Sequence, residues 1–403
     1  MGGVRTVDVV VVGAGPAGAA AATLLGRAGL DTVVVDKAKF PRDKICGDGL
    51  TAGALRLLEE LGLEPSKVAS WTDAQDVWVR SPRGRTIELG LPRGTGRFAA
   101  IATRRDLDAA LVDLARKSGA DVLDGHALEG ASEDHEGVTV QVEGVGPLRA
   151  RWAIGADGMW SPLRKHLGVA TEGYRGEWHA FRQYVSGVGP LASRDLYISF
   201  EPDILPGYFW SFPLQGGRAN IGFGIQRGGG LRTKDMTRLW ADLLARPHLR
   251  EVLGDAVADE PHRAWPIPAR VDRSVPTTRR TLFVGDAVAA CDVLTGEGIG
   301  QALASGMRAA ESIRDAGPSG DAAAAYATAL RQELLADHRM SALLVKGLST
   351  TARADAAIAL AGANDWTRRN FARWLFEDYP RALIATPRRW RRGAVSRPGA
   401  YRG

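Results

Sequence analysis

Gly13-Ala14-Gly15-Pro16-Ala17-Gly18 lies between an apolar run from Val7 to Val12 and a helix-forming stretch from Ala19 to Leu25. A short β-branched run of this kind reads as a buried parallel strand. Gly13 permits the tight turn after it, Gly15 lets backbone amides approach a pyrophosphate, and Gly18 allows close helix–strand packing. The amino end of the helix then faces the phosphates, where its dipole favours negative charge. A second strand, Thr32 to Val35, ends in Asp36, placed to take the adenosine ribose hydroxyls. A glycine turn without a ligand is the weaker reading once strand, helix and acid occur together.

Two later segments extend the pattern. Ile154-Gly155-Ala156-Asp157-Gly158 follows a strand and carries Ser161 and Arg164 at fixed offsets; the alternative there is an Asp-Gly β-turn capped by serine. Phe283-Val284-Gly285-Asp286 is a strand ending in an acid that suits a ribityl chain. Gly296-Glu297-Gly298-Ile299-Gly300 then opens a helix whose amides point at the pyrimidine end of an isoalloxazine, favouring the anionic reduced ring. The ordered set means FAD rather than NAD. Arg104, at a helix start, opposes the helix dipole and suits a phosphate or ribityl partner; otherwise it is a surface arginine capped by Asp106 and Asp108.

A chain of 403 residues is long enough for two domains. Its two cysteines, Cys46 and Cys291, imply no disulfide framework and fit a reducing cytoplasm. Metal-type Cys/His spacing is missing, so no metal is expected. Val9 to Gly26 is almost free of polar residues, but its glycines and Pro16 break the run, and neither a basic leader nor a cleavage pattern accompanies it.

The net charge of +6 comes from arginine. Without a basic helix interleaved with base-stacking aromatics, nucleic acid is not expected. From Arg381 to Gly403 there are seven arginines and no acid, interleaved with Leu383, Ile384, Trp390, Val395 and Tyr401. Just upstream, Trp366, Phe371, Trp374, Leu375 and Phe376 stand among Arg368, Arg369 and Arg373. Such a segment suits the inner face of an anionic membrane, on which it would lie without crossing. The alternative is a C-terminal helix packed on the body with a solvated basic tail.

The expected fold is α/β: a Rossmann-like FAD-binding domain with an inserted β-rich substrate domain and a helical C-terminal segment. Residues 1–70, 98–173 and 271–320 are expected to form the discontinuous FAD domain. Residues 71–97 and 174–270 form the substrate domain, and 321–403 a helical, basic-aromatic region.

The glycine motif, Asp157-Gly158-x-x-Ser161-x-x-Arg164 and Gly285-Asp286 resemble those of p-hydroxybenzoate hydroxylase-type flavoproteins. Pro41-Arg42-Asp43-Lys44-Ile45-Cys46-Gly47-Asp48-Gly49 resembles the cysteine-containing flavin loop of geranylgeranyl reductases. Tyr208-Phe209-Trp210-Ser211-Phe212-Pro213 is similar to their YxWxFP motif, and the arginine-rich C-terminal segment looks most like the actinobacterial menaquinone reductase branch. The resemblance implies FAD held by Ala17, Asp36, Cys46, Gly47, Gly49, Arg104, Ala127, Asp286, Gly298 and Ile299, beside the motif residues Gly13, Gly15, Gly18 and Asp157. It departs at Ala289 and Val293, where the family often has glycine and proline.

What the resemblance implies about activity is reduction of an isoprenyl double bond in a polyprenyl lipid. NAD(P)H or a ferredoxin-like carrier would be the electron donor. Tyr208, Trp210 and Phe212 are candidates for lining an apolar channel, although alternating aromatics on a strand are often plain core. Cys46 and Tyr208 are the candidate proton donors, and Cys291 reads as structural. Alternatives are a geranylgeranyl diphosphate or phospholipid reductase, an aromatic monooxygenase of the same fold, and a lipid carrier with an inert flavin. A halogenase is disfavoured because its GWxWxIP-type motif is missing.

Overall fold

The computed structural model describes residues 4–317, 320–376, 378–390 and 396–402. Two sheets organise it. The first has Arg5–Val12 at its centre, paired in parallel with Thr32–Asp36 on one side and Gly146–Gly155 on the other. Asp121–Asp124 adds beyond Thr32–Asp36, while Val138–Val142 and Leu128–Glu133 extend the far edge antiparallel. Thr281–Phe283 joins Gly146–Gly155 at its C-terminal end, so the Gly285-Asp286 turn emerges beside Gly155 and Ala156.

Pro16–Arg27 is a helix built from small residues, with Ala17 to Ala22 all buried. Small size is what lets it sit between the sheet and the helix Ile299–Ala316. A Cβ on Gly18 would stand 1.9 Å from the Gly13 carbonyl oxygen, and one on Gly306 would stand 2.1 Å from the Ala17 carbonyl oxygen.

The second sheet runs in the order Val257–Ala258, Trp178–Ser186, Arg218–Gln226, Phe209–Leu214, Leu196–Ser199, Asp76–Arg80, Thr86–Gly90, with Arg263–Ile267 also on Trp178–Ser186. Period-two alternation divides its faces. Phe181, Phe209, Ile221 and Phe223 pack on two short helices, Met236–Leu244 and Pro247–Leu253. Residues of opposite parity, including Arg182, Tyr184, Trp210, Phe212 and Asn220, turn toward the first sheet. The two helices fall within a stretch that the sequence presents as alternating strands; Met236, Leu239, Trp240 and Leu243 repeat at helical spacing and form their buried side.

The α-helices continue from Ala322 and end at Leu375, with the 3₁₀ turns Leu383–Ala385 and Pro387–Arg389 beyond them. The rest is a strap. Arg56 donates to Asp378 and to the Pro398 carbonyl, 2.7 Å, and the Tyr401 hydroxyl donates to the Leu63 carbonyl, 2.7 Å. Arg373 pairs with Asp378, and Arg389 with Asp337 at 2.9 Å. Phe376 and Leu383 are buried, and Trp366 and Trp390 are exposed at 68% and 62%. Much of the basic-aromatic segment is therefore occupied within the protein. Val395 and the Ile384 side chain lie outside the described residues. Among the described residues, no helix is long and apolar enough to cross a membrane.

Gly306→Ala tests the helix packing. Alanine is favoured over glycine in a helix by about 1 kcal/mol, but the backbone contact reverses the sign. The variant is expected to lose about 1–3 kcal/mol in denaturant unfolding; a gain would contradict the packing.

Candidate flavin site

The site grows from the carboxyl end of the first sheet. Gly13 turns at φ 102°, and a Cβ there would lie 2.3 Å from the Ala156 carbonyl oxygen. Gly15 faces Arg42 and Arg104, whose nearest guanidinium nitrogens are 3.7 and 4.0 Å from a Cβ built on it. Asp36 accepts from the Ala14 amide at 2.7 Å and the Ala38 amide at 2.8 Å, which orients its carboxylate beside the glycine turn. Ala127 lies near Asp36, in the segment after Asp121–Asp124 that folds back through the Gly125 and His126 amides onto the Asp36 carbonyl.

Arg104 is buried, and its guanidinium grips Asp108 through two 2.8 Å bonds. It is thus neither a surface residue nor unpaired. Arg42 joins the same carboxylate at 2.9 Å. Two guanidinium groups sharing one carboxylate leave net positive charge beside Gly15. An amino-terminal helix turn with that charge fits a pyrophosphate. Arg42 was not singled out from sequence, although it stands in the motif loop; its proximity to Gly15 depends on how the loop folds back.

Asp157 accepts from the Leu163 amide at 2.8 Å, and burial pushes its carboxyl up to about 6. The Ser161 hydroxyl accepts from the Arg164 amide, 3.1 Å. The Arg164 guanidinium donates to the carbonyls of Val169 and Val275 and covers the Phe283 ring at 4.5 Å, so it clamps loops.

At the other end, Asp286 accepts from Lys44 Nζ, 3.1 Å, and from the Cys291 thiol, 3.3 Å. Burial alone would raise this carboxyl, but Lys44, the Cys291 thiol and Arg104 together outweigh it and hold Asp286 below the usual range. Gly298 begins the helix Ile299–Ala316 without a side-chain cap. A Cβ on it would meet Cys291 Sγ at 2.9 Å, so glycine is what lets the helix start approach Asp286. The preceding turn is fixed by Asp292, which accepts from the Leu294 and Thr295 amides and from Ser341, 2.6 Å, and lies 3.4 Å from Arg381. Arg381 thus braces the flavin-side loop from the C-terminal strap, a role its sequence context did not suggest. Ala289 lies at φ 56°, left-handed backbone that glycine adopts without cost, which is a physical reason for the glycine the resemblance implies there.

Cys46, Gly47 and Gly49 meet the second sheet. A Cβ on Gly47 would contact the Trp210 and Phe212 rings at 3.6 Å, and one on Gly49 would press Phe212 at 3.2 Å. Phe200, Tyr208, Trp210 and Phe212 form a ladder with successive ring centroids 5.9, 6.2 and 6.4 Å apart. Within the ladder, the Tyr208 hydroxyl donates to the Thr295 carbonyl. That bond occupies the phenol proton, which leaves Tyr208 poorly placed as a proton donor. Burial also pushes the Cys46 thiol up, Asp48 adding to this while Arg104 and Lys44 oppose it.

The family described as FAD binding domain matches residues 6–314. A menaquinone reductase of Mycolicibacterium smegmatis is 34% identical over 81% of this chain and 80% of its own length. The chain belongs to the FAD-dependent geranylgeranyl reductase family. A digeranylgeranylglycerophospholipid reductase of Methanopyrus kandleri is 32% identical over 79% of this chain and 83% of its own length. The fold matches that of a geranylgeranyl bacteriochlorophyll reductase-like protein from Thermoplasma acidophilum, with a TM-score of 0.79 over 96% of this chain and all of that one, at 22% identity. This geranylgeranyl reductase family member is an FAD-dependent oxidoreductase, and the charged cradle at Gly15 fits its cofactor.

Two variants probe the cradle and the turn. Arg42→Ala is expected to weaken FAD binding about 10- to 100-fold by flavin-fluorescence titration, since a charged hydrogen bond is worth ~1.5–3 kcal/mol; unchanged affinity would remove Arg42 from the cradle. Ala289→Gly should raise stability by up to about 1 kcal/mol with FAD affinity retained, and a loss in thermal unfolding would count against strain at that turn.

Proposed function

We propose that this protein saturates an isoprenyl double bond of a polyprenyl lipid, and that the menaquinone side chain is its substrate. The observation that carries the reading is the aromatic ladder Tyr208–Trp210–Phe212 lying against Gly47 and Gly49. It offers an apolar surface where a flavin ring and a prenyl chain would meet. The identity to menaquinone reductases supports the quinone substrate, while the similar identity to a phospholipid reductase favours, as second reading, another head group on the same kind of tail.

In this reading Gly13, Gly15, Ala17 and Gly18, with Arg42 and Arg104, hold the pyrophosphate. Asp36 and Ala127 take the adenosine end, and Asp157 supports the turn beneath it. Asp286 takes the ribityl chain, and Cys46, Gly47, Gly49, Gly298 and Ile299 border the ring. Bound FAD, once reduced, supplies hydride.

An isolated trisubstituted alkene has no carbonyl to polarise, so proton transfer must lead and hydride must follow. Cys46 is the proton donor in this reading, on its place in the flavin loop against the aromatic sheet: burial keeps the proton on sulfur at neutral pH, so the group has one to give. Each buried prenyl carbon contributes about 0.8 kcal/mol, so the chain binds through its tail. The polar cavity of about 690 Å³ lined by Arg308, Glu311, Asp315, Glu333, Asp337 and Arg389 is excluded as a tail site, because a prenyl chain there would strip water from charges. NAD(P)H or a ferredoxin-like carrier reduces the flavin. Exposed Trp366 and Trp390, with Arg369 and Arg388 nearby in sequence, support contact with an anionic membrane at the inner face.

Anaerobic turnover with menaquinone and with geranylgeranyl lipids tests the reading by product mass. The expected product gains two hydrogens without O₂; a requirement for O₂ and an added oxygen atom would replace the reductase with a monooxygenase. Cys46→Ala should retain FAD but lose about 10²–10⁴-fold in turnover, the usual worth of a general acid. Unchanged turnover would take the thiol out of the chemistry.

A further inference from the structure

Asp48 is fully buried and held at φ 62° between two glycines of the flavin loop. One carboxylate oxygen accepts from the Tyr184 hydroxyl at 2.7 Å and from Asn220 Nδ2 at 2.8 Å. The other accepts from the Arg104 amide at 3.2 Å. The backbone amide of Asp48 approaches Cys46 Sγ at 3.4 Å, and its carbonyl accepts from the Ala102 amide, 3.0 Å. Tyr184 and Asn220 are register partners on neighbouring strands, so both reach one oxygen from the same face. Asn220 goes further: it donates to the Cys46 carbonyl at 2.8 Å and accepts from Trp210 Nε1 at 3.1 Å. A single carboxylate therefore ties together the loop that carries the thiol, the helix that carries Arg104 and two strands of the second sheet, and through Asn220 it reaches Trp210 of the aromatic ladder.

We propose that Asp48 is a positioning residue whose carboxylate fixes Cys46 relative to both the flavin edge and the aromatic sheet, so that its protonation alters the flavin's surroundings. The proposal deepens the reductase reading, but its spectroscopic test needs no substrate.

Arg182 lies over the Tyr184 ring at 4.0 Å and pairs with Asp43 at 2.8 Å and with Glu260. Arg104 stands at the helix start, and Cys46, Asp43 and Lys44 share the loop. Burial pushes the Asp48 carboxyl up to about 6, although Tyr184, Asn220, Arg182 and the Arg104 amide all favour the charged form. The folded protein thus holds the proton more tightly than the unfolded chain, whose carboxyl has its ordinary value near 3.8. Stability falls as pH rises through that window, and at neutral pH the ionised acid is a net cost. Packing alone does not need a charge, still less one in left-handed backbone; both features are expected where a carboxylate serves a site.

The test is a pH titration, from about pH 5 to about pH 8, of the visible spectrum of the FAD-loaded full-length protein, with turnover followed in parallel. The wild type should show one spectral transition near pH 6. Tyr184→Phe removes a donor to the charged form and should move that transition upward. Asp48→Asn should abolish it while FAD stays bound, and should lower kcat about tenfold or more with KM little changed, the pattern of a misplaced reacting group. A transition that persists in Asp48→Asn, or does not move in Tyr184→Phe, overturns the proposal, as does its absence from the wild type. Should Asp48→Asn fail to fold, the Tyr184→Phe shift decides alone. An Asp48-dependent transition in a protein that reduces no prenyl lipid would sink the reductase reading and leave this assignment standing.

Discussion

The loop from Pro41 to Gly49 belongs to the nucleotide-binding sheet by sequence and to the aromatic sheet by contact. Asp43 meets Arg182, Asp48 meets Tyr184 and Asn220, and Gly47 and Gly49 press on Trp210 and Phe212. Arg182 and Asp48 are buried, so each attachment comes with a desolvation cost that only its partners offset. Removing one partner leaves a charge stranded, which makes the two sheets keep a fixed relation. Everything chemical in the account needs that relation: the thiol, the cofactor cradle and the aromatic ladder come from three parts of the chain.

The C-terminal strap reinforces the same arrangement from outside. Arg381 reaches Asp292, whose carboxylate shapes the turn before Gly296-Glu297-Gly298, and Arg56 joins Asp378 and Pro398 to the helix behind the flavin loop. Positive charge that reads from sequence as a surface property is partly internal structure. The arginine-rich composition describes two populations, and among the described residues Arg369 and Arg388, beside Trp366 and Trp390, belong to the outer one.

Much of the fold was legible because its signals are local. The run Val7–Val12, the glycines after it and the small residues of the first helix specify one strand–turn–helix unit almost without tertiary help. The family motifs likewise led to Cys46, Trp210 and Asp286. What escaped notice depends on register and long-range return of the chain. Asn220 is an ordinary polar residue until the sheet places it opposite Tyr184, and Arg42 is one basic residue among many until its loop folds over Gly15. The helices Met236–Leu244 and Pro247–Leu253 are a different case, since Met236, Leu239, Trp240 and Leu243 did carry a helical period within a stretch that otherwise alternates. Arg164 shows the converse: a motif position whose guanidinium serves loop packing.

The most direct test of the central claim is a single anaerobic turnover, in which protein-bound FAD is bleached with dithionite, freed of excess reductant and mixed with a polyprenyl quinone. The account predicts that flavin absorbance recovers under nitrogen and that one tail double bond is saturated for each flavin reoxidised. Recovery that waits for air, or that reduces only the quinone ring and leaves every prenyl bond intact, would contradict it.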